Sequence, residues 1–574
     1  MSISALRQLQ RKLLPWRAAI ASGALAAPLL IASVANAEPQ PARAADSYVD
    51  SIGVNAHFLY ANYIDLFDTV IVPRMKELGI RHYRDGILLD DPPFNARLRA
   101  VGANGARGTF ITRPVQFPAL VDWAKSMSAY VDTLEGPNEP HNEKESSVYK
   151  GLEQPASLKP YQQDLYAAVR AEPMLAHVRV ASPGIDWFGA YSSVGDLDAW
   201  ADLGNFHHWP PSTGELQNGQ NKGNAPTDGL YTGRNGSAGL LQQARTITST
   251  KQLIATETGF STTQVPADQD NGWDPGVSEA AAARYATRVT LELFNNDVKR
   301  CFLYELLDEW DSPHPVKRHQ GLIRQDGSLK PHALALKNMI ALLADPGADF
   351  QPGELDFQLS SSGSLVDDKD FKTAEIHQLL LQKSNGAFYL VLWNEAVSYD
   401  NLAEQDIVVA EQQVRITLGT PIERARTFLP VNGPAAVASF EQPTQLTLAI
   451  PDHPLIVELN PPGTLAPPDV GAGAGGTGFG GAAAGGSGSA LGGAVTGSSG
   501  TAASTVTGSP PGASGGSAEA SPPAAASLTG EQAPGGCACA LPASSGRQSA
   551  AWALVSALLI IYRRARRWKT ASFG

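Results

Sequence analysis

The chain has 574 residues, enough for more than one domain and for a large buried core. Its net charge of −12 and pI near 5.4 disfavour a nucleic-acid or anionic-membrane partner, because such partners require a basic face. Of the three cysteines, Cys301 lies alone in an apolar stretch, while Cys537 and Cys539 lie near the C-terminus. This distribution excludes a disulfide framework or a structural zinc pattern in the central part of the chain.

Residues 1–37 contain a basic region, an apolar run and small residues in the order that is typical of a secretory signal peptide. The apolar run Ala18–Val34 is followed by the small residues Ala35-Asn36-Ala37. It is preceded by a basic region that contains Arg7, Arg11, Lys12 and Arg17. The sequence therefore predicts export, with an uncleaved anchor as the alternative because the basic region is longer than usual.

Strand-like and helical stretches alternate from about residue 51 to residue 343. The predicted strands are Ile52–Phe58, Ile80–Asp85, Gly108–Thr112, Val131–Glu139, Val178–Gly184, Gly204–Pro210, Leu253–Phe260 and Arg300–Trp310. Stretches between them, such as Tyr63–Leu78, repeat apolar residues every three or four positions. Eight such units favour a closed parallel (β/α)8 TIM barrel, placed at residues 48–345. No glycine-rich phosphate fingerprint follows the first strand, which disfavours a dinucleotide-binding fold.

After the barrel the period of the apolar residues changes. Residues 346–461 alternate apolar and polar side chains in runs such as Ala387–Trp393 and Thr444–Ile450, which predicts a small antiparallel β-sandwich of half-buried strands. Residues 462–536 hold 22 of the 55 glycines, with abundant Ala, Ser, Thr and Pro. Such a segment buries too little apolar surface to offset its ordering entropy, so we predict a disordered linker.

Residues 537–574 form a distinct tail. It combines Cys537-Ala538-Cys539, the short apolar run Ala550–Tyr562 and a cluster of arginines. The run is shorter than the ~20 residues that a membrane-spanning helix needs. The tail resembles the C-terminal sorting tails of myxobacterial surface proteins, which implies membrane or cell-envelope attachment at the cell surface. An ordinary tail anchor with basic stop-transfer residues is the alternative.

Two glutamates are the main candidates for catalytic residues. Glu139 lies between Pro137 and Pro140 at the end of the fourth predicted strand, and Glu257 lies at the end of the seventh. These strands are nearly opposite in an eight-stranded barrel, and active sites of this fold occupy the C-terminal face. Two carboxyls in one cleft are what acid-assisted cleavage of a sugar acetal needs. Glu139 taken alone could instead end its strand and cap the next helix.

The motifs around these glutamates, Asn-Glu-Pro and Thr-Glu-Thr-Gly-Phe, resemble those of retaining glycoside hydrolases of clan A. The resemblance covers about residues 51–343. It implies that Glu139 is the acid/base and Glu257 the nucleophile, with the two carboxyls about 5–5.5 Å apart. It also implies a carbohydrate substrate; this hypothesis requires no cofactor and no metal.

The same resemblance suggests supporting residues. Asn138 is suited to hydrogen-bond a substrate hydroxyl next to the reacting carbon. Arg84 matches the arginine that keeps the nucleophile ionised, and Arg81 is the competing candidate. His207 matches a His-x-Tyr-Pro pattern in which Trp209 stands where tyrosine is common.

Aromatic and acidic residues near the predicted strand ends complete the candidate set. Trp310, at the end of the eighth predicted strand, resembles the tryptophan that floors the sugar-binding subsite. Trp209 and Trp273 are further candidate platforms, because aromatic faces stack on the apolar faces of pyranose rings. Glu305 and Asp308 are extra acids on the eighth strand, expected in polar networks or substrate contacts.

Other functions remain open at this point. The barrel could belong to a catalytically silent glycan-binding protein, or serve as the scaffold of an adhesive cell-surface protein, since fold does not fix function. A silent protein would tolerate the loss of either glutamate, so the presence of both disfavours it. A metal-dependent hydrolase is disfavoured because His207 and His208 are adjacent in a strand and point to opposite faces.

Overall fold

The computed structural model describes residues 39–465 except 142–147, 186–190, 211–225, 228, 232–237, 264–275, 310–314, 362–374 and 401–402. The predicted signal peptide, nearly all of the predicted linker and the C-terminal tail lie outside the described residues. Within the described ranges, no helix has the length and apolar character needed to cross a membrane.

Eight parallel strands close into a barrel, which confirms the predicted TIM barrel. They are β3 (Ile52–Asn55), β4 (His82–Asp85), β5 (Arg107–Ile111), β6 (Val131–Glu135), β7 (Arg179–Ala181), β8 (Leu203–His208), β9 (Gln252–Thr258) and β10 (Arg300–Leu303). Each strand pairs with the next along the chain, and β10 pairs with β3 to close the sheet. The carboxyl ends of all eight strands therefore lie on one face of the barrel.

The strands end earlier than the sequence predicts. β6 stops at Glu135 rather than Glu139. Pro137 has no backbone N–H and cannot extend the hydrogen-bonded ladder. Likewise β10 stops at Leu303 rather than Trp310. Because β6 ends at Glu135, Glu139 lies in an irregular segment beyond the strand. Its position there depends on contacts other than the hydrogen bonds of the sheet.

Helices surround the barrel and connect its strands. They are α1 (Ala45–Asp50), α2 (Ala61–Asp65), α3 (Val72–Leu78), α4 (Pro92–Ala103), α5 (Phe117–Ser126), α6 (Leu158–Ala171), α7 (Tyr191–Val194), α8 (Leu240–Ile247), α9 (Glu279–Asn295) and α10 (Pro331–Leu343). Their boundaries follow local chemistry. The Asp91 side chain accepts a hydrogen bond from Phe94 N and caps α4, and Ser278 caps α9 in the same way.

Two sheets pack face to face after the barrel and confirm the predicted sandwich. The first contains β1 (Pro39–Pro41), β11 (Glu354–Ser361), β16 (Gln412–Leu418) and β19 (Gln445–Ile450). The second contains β18 (Ala436–Glu441), β17 (Arg424–Phe428), β20 (Leu455–Asn460), β13 (Phe388–Asn394), β12 (Ile376–Gln382) and β2 (Arg43–Ala44). A short hairpin joins β14 (Tyr399–Asp400) to β15 (Gln405–Asp406). Residues 39–44, which precede the barrel, thus add one strand to each sheet.

Strands β13 and β20 of the second sheet are buried on both faces, so the prediction of half-buried strands is wrong for β13. Leu390 and Leu392 belong to the core between the two sheets, whereas Val391 and Trp393 belong to the barrel core. Helix α9 lies under this sheet, and Arg288 Nη1 donates to Asn394 O at 2.9 Å. The sandwich therefore packs on the barrel as part of one continuous structure, and α9 is buried on nearly all sides.

Candidate active site

Backbone contacts to Gly184, in the segment after β7, fix the position of Glu139. Its N–H donates to Gly184 O at 2.8 Å, and Asn138 forms an isolated β-bridge with Gly184. The backbone φ of Glu139 is +36°, in the left-handed region that residues other than glycine rarely adopt. Such conformations persist where surrounding contacts enforce them, and they concentrate at functional sites.

Glu257 approaches Glu139 from the far side of the barrel. It lies one residue before the end of β9 and is 8% exposed. A carboxylate oxygen of Glu257 and one of Glu139 lie within 4.8 Å of each other, and His207 Nδ1 lies within the same distance of both. His207 Nδ1 is 2.8 Å from Glu139 Oε1 and 3.5 Å from Glu257 Oε2. The segment after β6 and strands β8 and β9 thus bring three predicted site residues together.

Arg84 links these strands to β4. Its Nη1 donates to Glu257 Oε1 at 2.7 Å and to Asn55 Oδ1 at 3.0 Å. Its Nε and Nη2 donate to Glu135 Oε2 and Oε1 at 2.7 and 2.8 Å, and Nη2 also donates to Asn138 Oδ1 at 2.5 Å. Arg84 is 2% exposed, so these contacts replace water as its hydrogen-bond partners. The guanidinium therefore holds two carboxylates at once.

The competing candidate, Arg81, does not reach the site. It precedes β4, and its guanidinium pairs with Asp46 through hydrogen bonds of 2.7 and 2.8 Å. Of the two arginines predicted from the sequence, Arg84 is therefore the one that contacts Glu257.

Nearby carboxylates raise the pKa values of the two basic side chains of the site. Burial lowers the pKa of Arg84, but Glu135 and Glu257 outweigh it and raise that pKa above its ordinary value. Burial likewise lowers the pKa of His207, but Glu257 and Glu139 outweigh it and leave that pKa raised. The cluster is therefore a buried network in which Arg84 and His207 each lie between two carboxyl groups.

Two residues of this network, Glu135 and Asn55, were missed by the sequence reasoning. Glu135 is the last residue of β6 and is fully buried, and Asn55 is the last residue of β3. An ionisable side chain inside a strand that otherwise reads as buried needs a charged partner nearby. That pattern is visible in the sequence, but it does not identify the partner.

Aromatic side chains line the region beside the glutamates. The Trp209 ring lies 5.7 Å from the Tyr304 ring, edge to face, and the His57 ring lies 5.3 Å from the Tyr304 ring. Tyr304, the first residue after β10, was not singled out from the sequence. The predicted platforms Trp310 and Trp273 lie outside the described residues.

The neighbouring histidine, His208, faces away from the glutamates. It is fully buried, and its Nε2 lies 2.7 Å from Pro226 O. This contact agrees with the expectation that adjacent strand residues point to opposite faces.

A second polar cluster lies beyond Tyr304. One side-chain nitrogen or oxygen atom from each of His57, Glu305 and Glu309 lies within 4.8 Å of the other two. The cluster of Glu139, His207 and Glu257 has the same spacing. Burial raises the pKa of Glu305 well above its ordinary value. Burial and the positive charge of Lys317 lower the pKa of His57 to about 3. The adjacent Lys317 ammonium disfavours a cation in this second cluster.

Asp308 belongs to a different network. It is 2.7 Å from Lys330 Nζ and accepts a hydrogen bond from Gly321 N at 2.8 Å. Both Asp308 and Lys330 are buried, with 4% and 1% exposure. Asp308 thus anchors the segment that leads into α10, in line with the expected polar network.

The protein resembles solved structures at low sequence identity. No protein-family model matches the sequence, and no curated protein is significantly similar to it. A family 39 glycoside hydrolase from Bacteroides cellulosilyticus WH2 aligns with TM-score 0.49 and 14% identity, over 73% of this chain and 83% of that chain. A glucosidase from Croceicoccus marinus aligns with TM-score 0.47 and 12% identity, over 74% and 97%. An exo-β-1,4-mannosidase from Opitutaceae bacterium strain TAV5 aligns with TM-score 0.33 and 13% identity, over 51% and 59%. TM-scores below 0.5 carry no argument about the function of this chain.

Proposed function

We propose that this protein is a glycoside hydrolase that cleaves O-glycosidic bonds of a poly- or oligosaccharide with retention of configuration. The observation that carries the proposal is the approach of the Glu139 and Glu257 carboxylates to within 4.8 Å on the C-terminal face of the barrel. Retaining enzymes hold their carboxyls about 5–5.5 Å apart, whereas inverting enzymes need about 6.5–9.5 Å for an intervening water.

In the first step Glu257 is the nucleophile. Its carboxylate oxygen forms a bond to the anomeric carbon while the bond from that carbon to the leaving oxygen breaks. Glu139 gives its proton to the leaving oxygen. The products are a covalent glycosyl ester on Glu257, an ionised Glu139 and the released alcohol.

In the second step Glu139 acts as the base. It takes a proton from a water molecule whose oxygen attacks the anomeric carbon on the same face as the departed group. The ester bond to Glu257 breaks, its electron pair returns to the carboxylate, and Glu139 is protonated again. Two inversions at one carbon give overall retention.

The remaining site residues support these steps. Arg84 holds the Glu257 carboxylate in place through a 2.7 Å hydrogen bond. His207, which contacts both glutamates, orients the pair. We assign Asn138 to a substrate hydroxyl next to the reacting carbon, and Trp209 and Trp310 to the faces of sugar rings.

Export and surface attachment complete the proposal. The order of basic, apolar and small residues in 1–37 supports export. The paired cysteines, short apolar run and arginine cluster in 537–574 support attachment of the C-terminus to the membrane or cell envelope. The glycine-rich residues 462–536 would then act as a flexible tether between the envelope and the barrel.

A panel of aryl glycosides tests the activity with the parent protein, Glu139→Gln and Glu257→Gln. Loss of the acid/base should lower kcat/KM about 10²–10⁴-fold for substrates with poor leaving groups, and much less for dinitrophenyl glycosides, which need no protonation. The nucleophile variant should lose activity on both. Glu354→Gln, an exposed position in β11, is the matched control and should match the parent.

Azide rescue distinguishes the roles. With Glu139→Ala, azide should restore turnover and give a glycosyl azide of retained configuration. With Glu257→Ala, it should give the inverted product. Full activity of both glutamine variants would refute the mechanism, and a parent inactive on every glycoside of the panel would favour the glycan-binding alternative.

A further inference from the structure

Glu135, the last residue of β6, is fully buried and shares the Arg84 guanidinium with Glu257. Its exposure is 0%, and its carboxylate receives both Nε and Nη2 of Arg84, at 2.7 and 2.8 Å. The Thr256 hydroxyl, which adjoins Glu257 in sequence, lies 3.2 Å from Glu135 Oε1. A two-point contact of this kind fixes the plane of the guanidinium. Only Nη1 then remains for Glu257.

Charged and titratable groups surround Glu257 from several strands and from the segments that follow them. The groups are Arg84 from β4, Glu135 from β6, Glu139 from the segment after β6, His207 from β8 and Tyr304 after β10. Arg84 contacts two of these carboxylates, Glu135 and Glu257, so the attraction of one cation is divided between them.

The proposed reaction changes this balance. When Glu257 becomes a glycosyl ester, it loses its negative charge while Arg84 keeps its positive charge. A buried cation without a counter-ion is strongly unfavourable. Glu135 takes no part in bond making and remains available to Arg84 throughout the cycle.

We infer that Glu135 is the permanent counter-ion of Arg84 and a positioning residue that limits how firmly Arg84 holds the charge of Glu257. This inference rests on the proposed function. With Glu135 ionised, Glu257 is held in place yet is free to give up its charge to the anomeric carbon. Without the charge of Glu135, Glu257 is the only carboxylate that balances Arg84. Loss of the Glu257 charge on ester formation then becomes more unfavourable.

Glu135→Gln tests the inference, because it removes the charge and keeps the shape. The acid limb of the pH profile of kcat/KM reports ionisation of Glu257 in the free enzyme. The apparent pKa of this limb should fall by about one pH unit or more. Formation of the ester should slow at least about tenfold, whereas its hydrolysis should not. The pre-steady-state burst on a dinitrophenyl glycoside should therefore shrink. An acid limb that stays in place or moves up would overturn the inference, since a displaced Arg84 would make Glu257 harder to ionise.

Glu135→Asp is the second variant, and it keeps the inference testable if the glutamine variant does not fold. It preserves the charge while the shorter side chain weakens the two-point contact. Its acid limb should lie within about 0.3 pH unit of the parent, with kcat lowered several-fold. A shift of a full unit in this variant would also overturn the inference.

A titration without substrate separates this inference from the proposed function. Full-length protein labelled with carbon-13 at glutamate carboxyls reports ionisation of Glu257, assigned by the signal that disappears in Glu257→Gln. A lower midpoint in Glu135→Gln than in the parent supports the inference even if no glycoside is cleaved. An unchanged or higher midpoint refutes it even if the parent proves to be an active hydrolase.

Discussion

Two arginine-centred networks lie at opposite ends of the barrel. At the C-terminal face Arg84 joins Glu135 to Glu257. At the N-terminal face Arg300 joins Asp132 to Asp50 through contacts of 2.9 and 3.1 Å. Each arginine is nearly fully buried, with 2% and 4% exposure, and each links two carboxylates from different elements.

The networks differ in their access to water. The Glu135 and Glu257 side chains are 0% and 11% exposed, whereas those of Asp132 and Asp50 are 25% and 45% exposed. A hydrated carboxylate that loses its partner is re-solvated, but a dry one is not. The same pairing chemistry thus joins partly hydrated carboxylates at the N-terminal face and buried carboxylates of the proposed active site at the C-terminal face. This division follows the general roles of the two ends of TIM barrels.

The largest expected contrast comes from replacing each arginine by methionine. Arg84→Met removes the guanidinium shared by two buried carboxylates, so it should lower the free energy of unfolding by about 3–5 kcal/mol and abolish the proposed glycosidase activity. Arg300→Met should cost about 1 kcal/mol and leave activity near the parent value, because its partners reach water. Urea unfolding and the aryl glycoside assay measure the two effects. Equal losses of stability would contradict the proposed role of hydration.

Gly184 connects the backbone to the C-terminal network. A Cβ at this position would lie 2.5 Å from His207 Nε2 and 2.8 Å from Glu135 Oε1. Gly184→Ala should therefore displace both side chains, lower the free energy of unfolding by about 1–3 kcal/mol and reduce activity at least about tenfold. At Gly353 a Cβ would meet nothing nearer than Gln382 Oε1 at 3.6 Å, so Gly353→Ala is the matched control. Activity preserved in Gly184→Ala would show that His207 and Glu135 accommodate the methyl group.

The sequence predicts more of the barrel than of the site. Alternation of apolar runs and helical periods determines eight strands, and the fold then brings Glu139 and Glu257 together. The charged partners inside the barrel are harder to predict, because their pairing depends on register between distant strands. Glu135 and Arg84 are 51 residues apart, and nothing local in either segment specifies their contact. The burial of β13 on both faces was missed for a similar reason, since α9 covers a face that the pattern alone assigns to solvent.

Lowering the pH should remove stability due to Asp50 in the N-terminal network. Raising the pH should remove stability due to His207 in the C-terminal network. Although burial raises the pKa of Asp50, His82 and Arg300 outweigh it and hold that pKa below its ordinary value. The stability due to Asp50 is therefore present above about pH 3.9 and is lost as the pH falls. The pKa of His207 is raised despite burial, by Glu257 and Glu139. Its contribution is fully present below about pH 6.5 and is lost as the pH rises through the folded-state pKa.

Unfolding measured from pH 3 to pH 9 for the parent, Asp50→Asn and His207→Asn tests these signs. The difference in stability between parent and Asp50→Asn should shrink on the acid side. The difference between parent and His207→Asn should shrink on the alkaline side. The opposite order would mean that the charges of the two networks have been assigned incorrectly.

The smallest expected effect is that of salt. The Debye length falls from about 10 Å at 0.1 M salt to about 3 Å at 1 M, and screening acts chiefly on charges that reach solvent. The stability difference between parent and Arg300→Met should therefore decrease by a few tenths of a kcal/mol over this range, since Asp50 and Asp132 are partly hydrated. The difference between parent and Arg84→Met should stay constant, because salt ions do not enter the space between Arg84, Glu135 and Glu257. A salt-sensitive Arg84 difference would mean that water reaches the C-terminal network in solution, and the counter-ion role of Glu135 would then be correspondingly weaker.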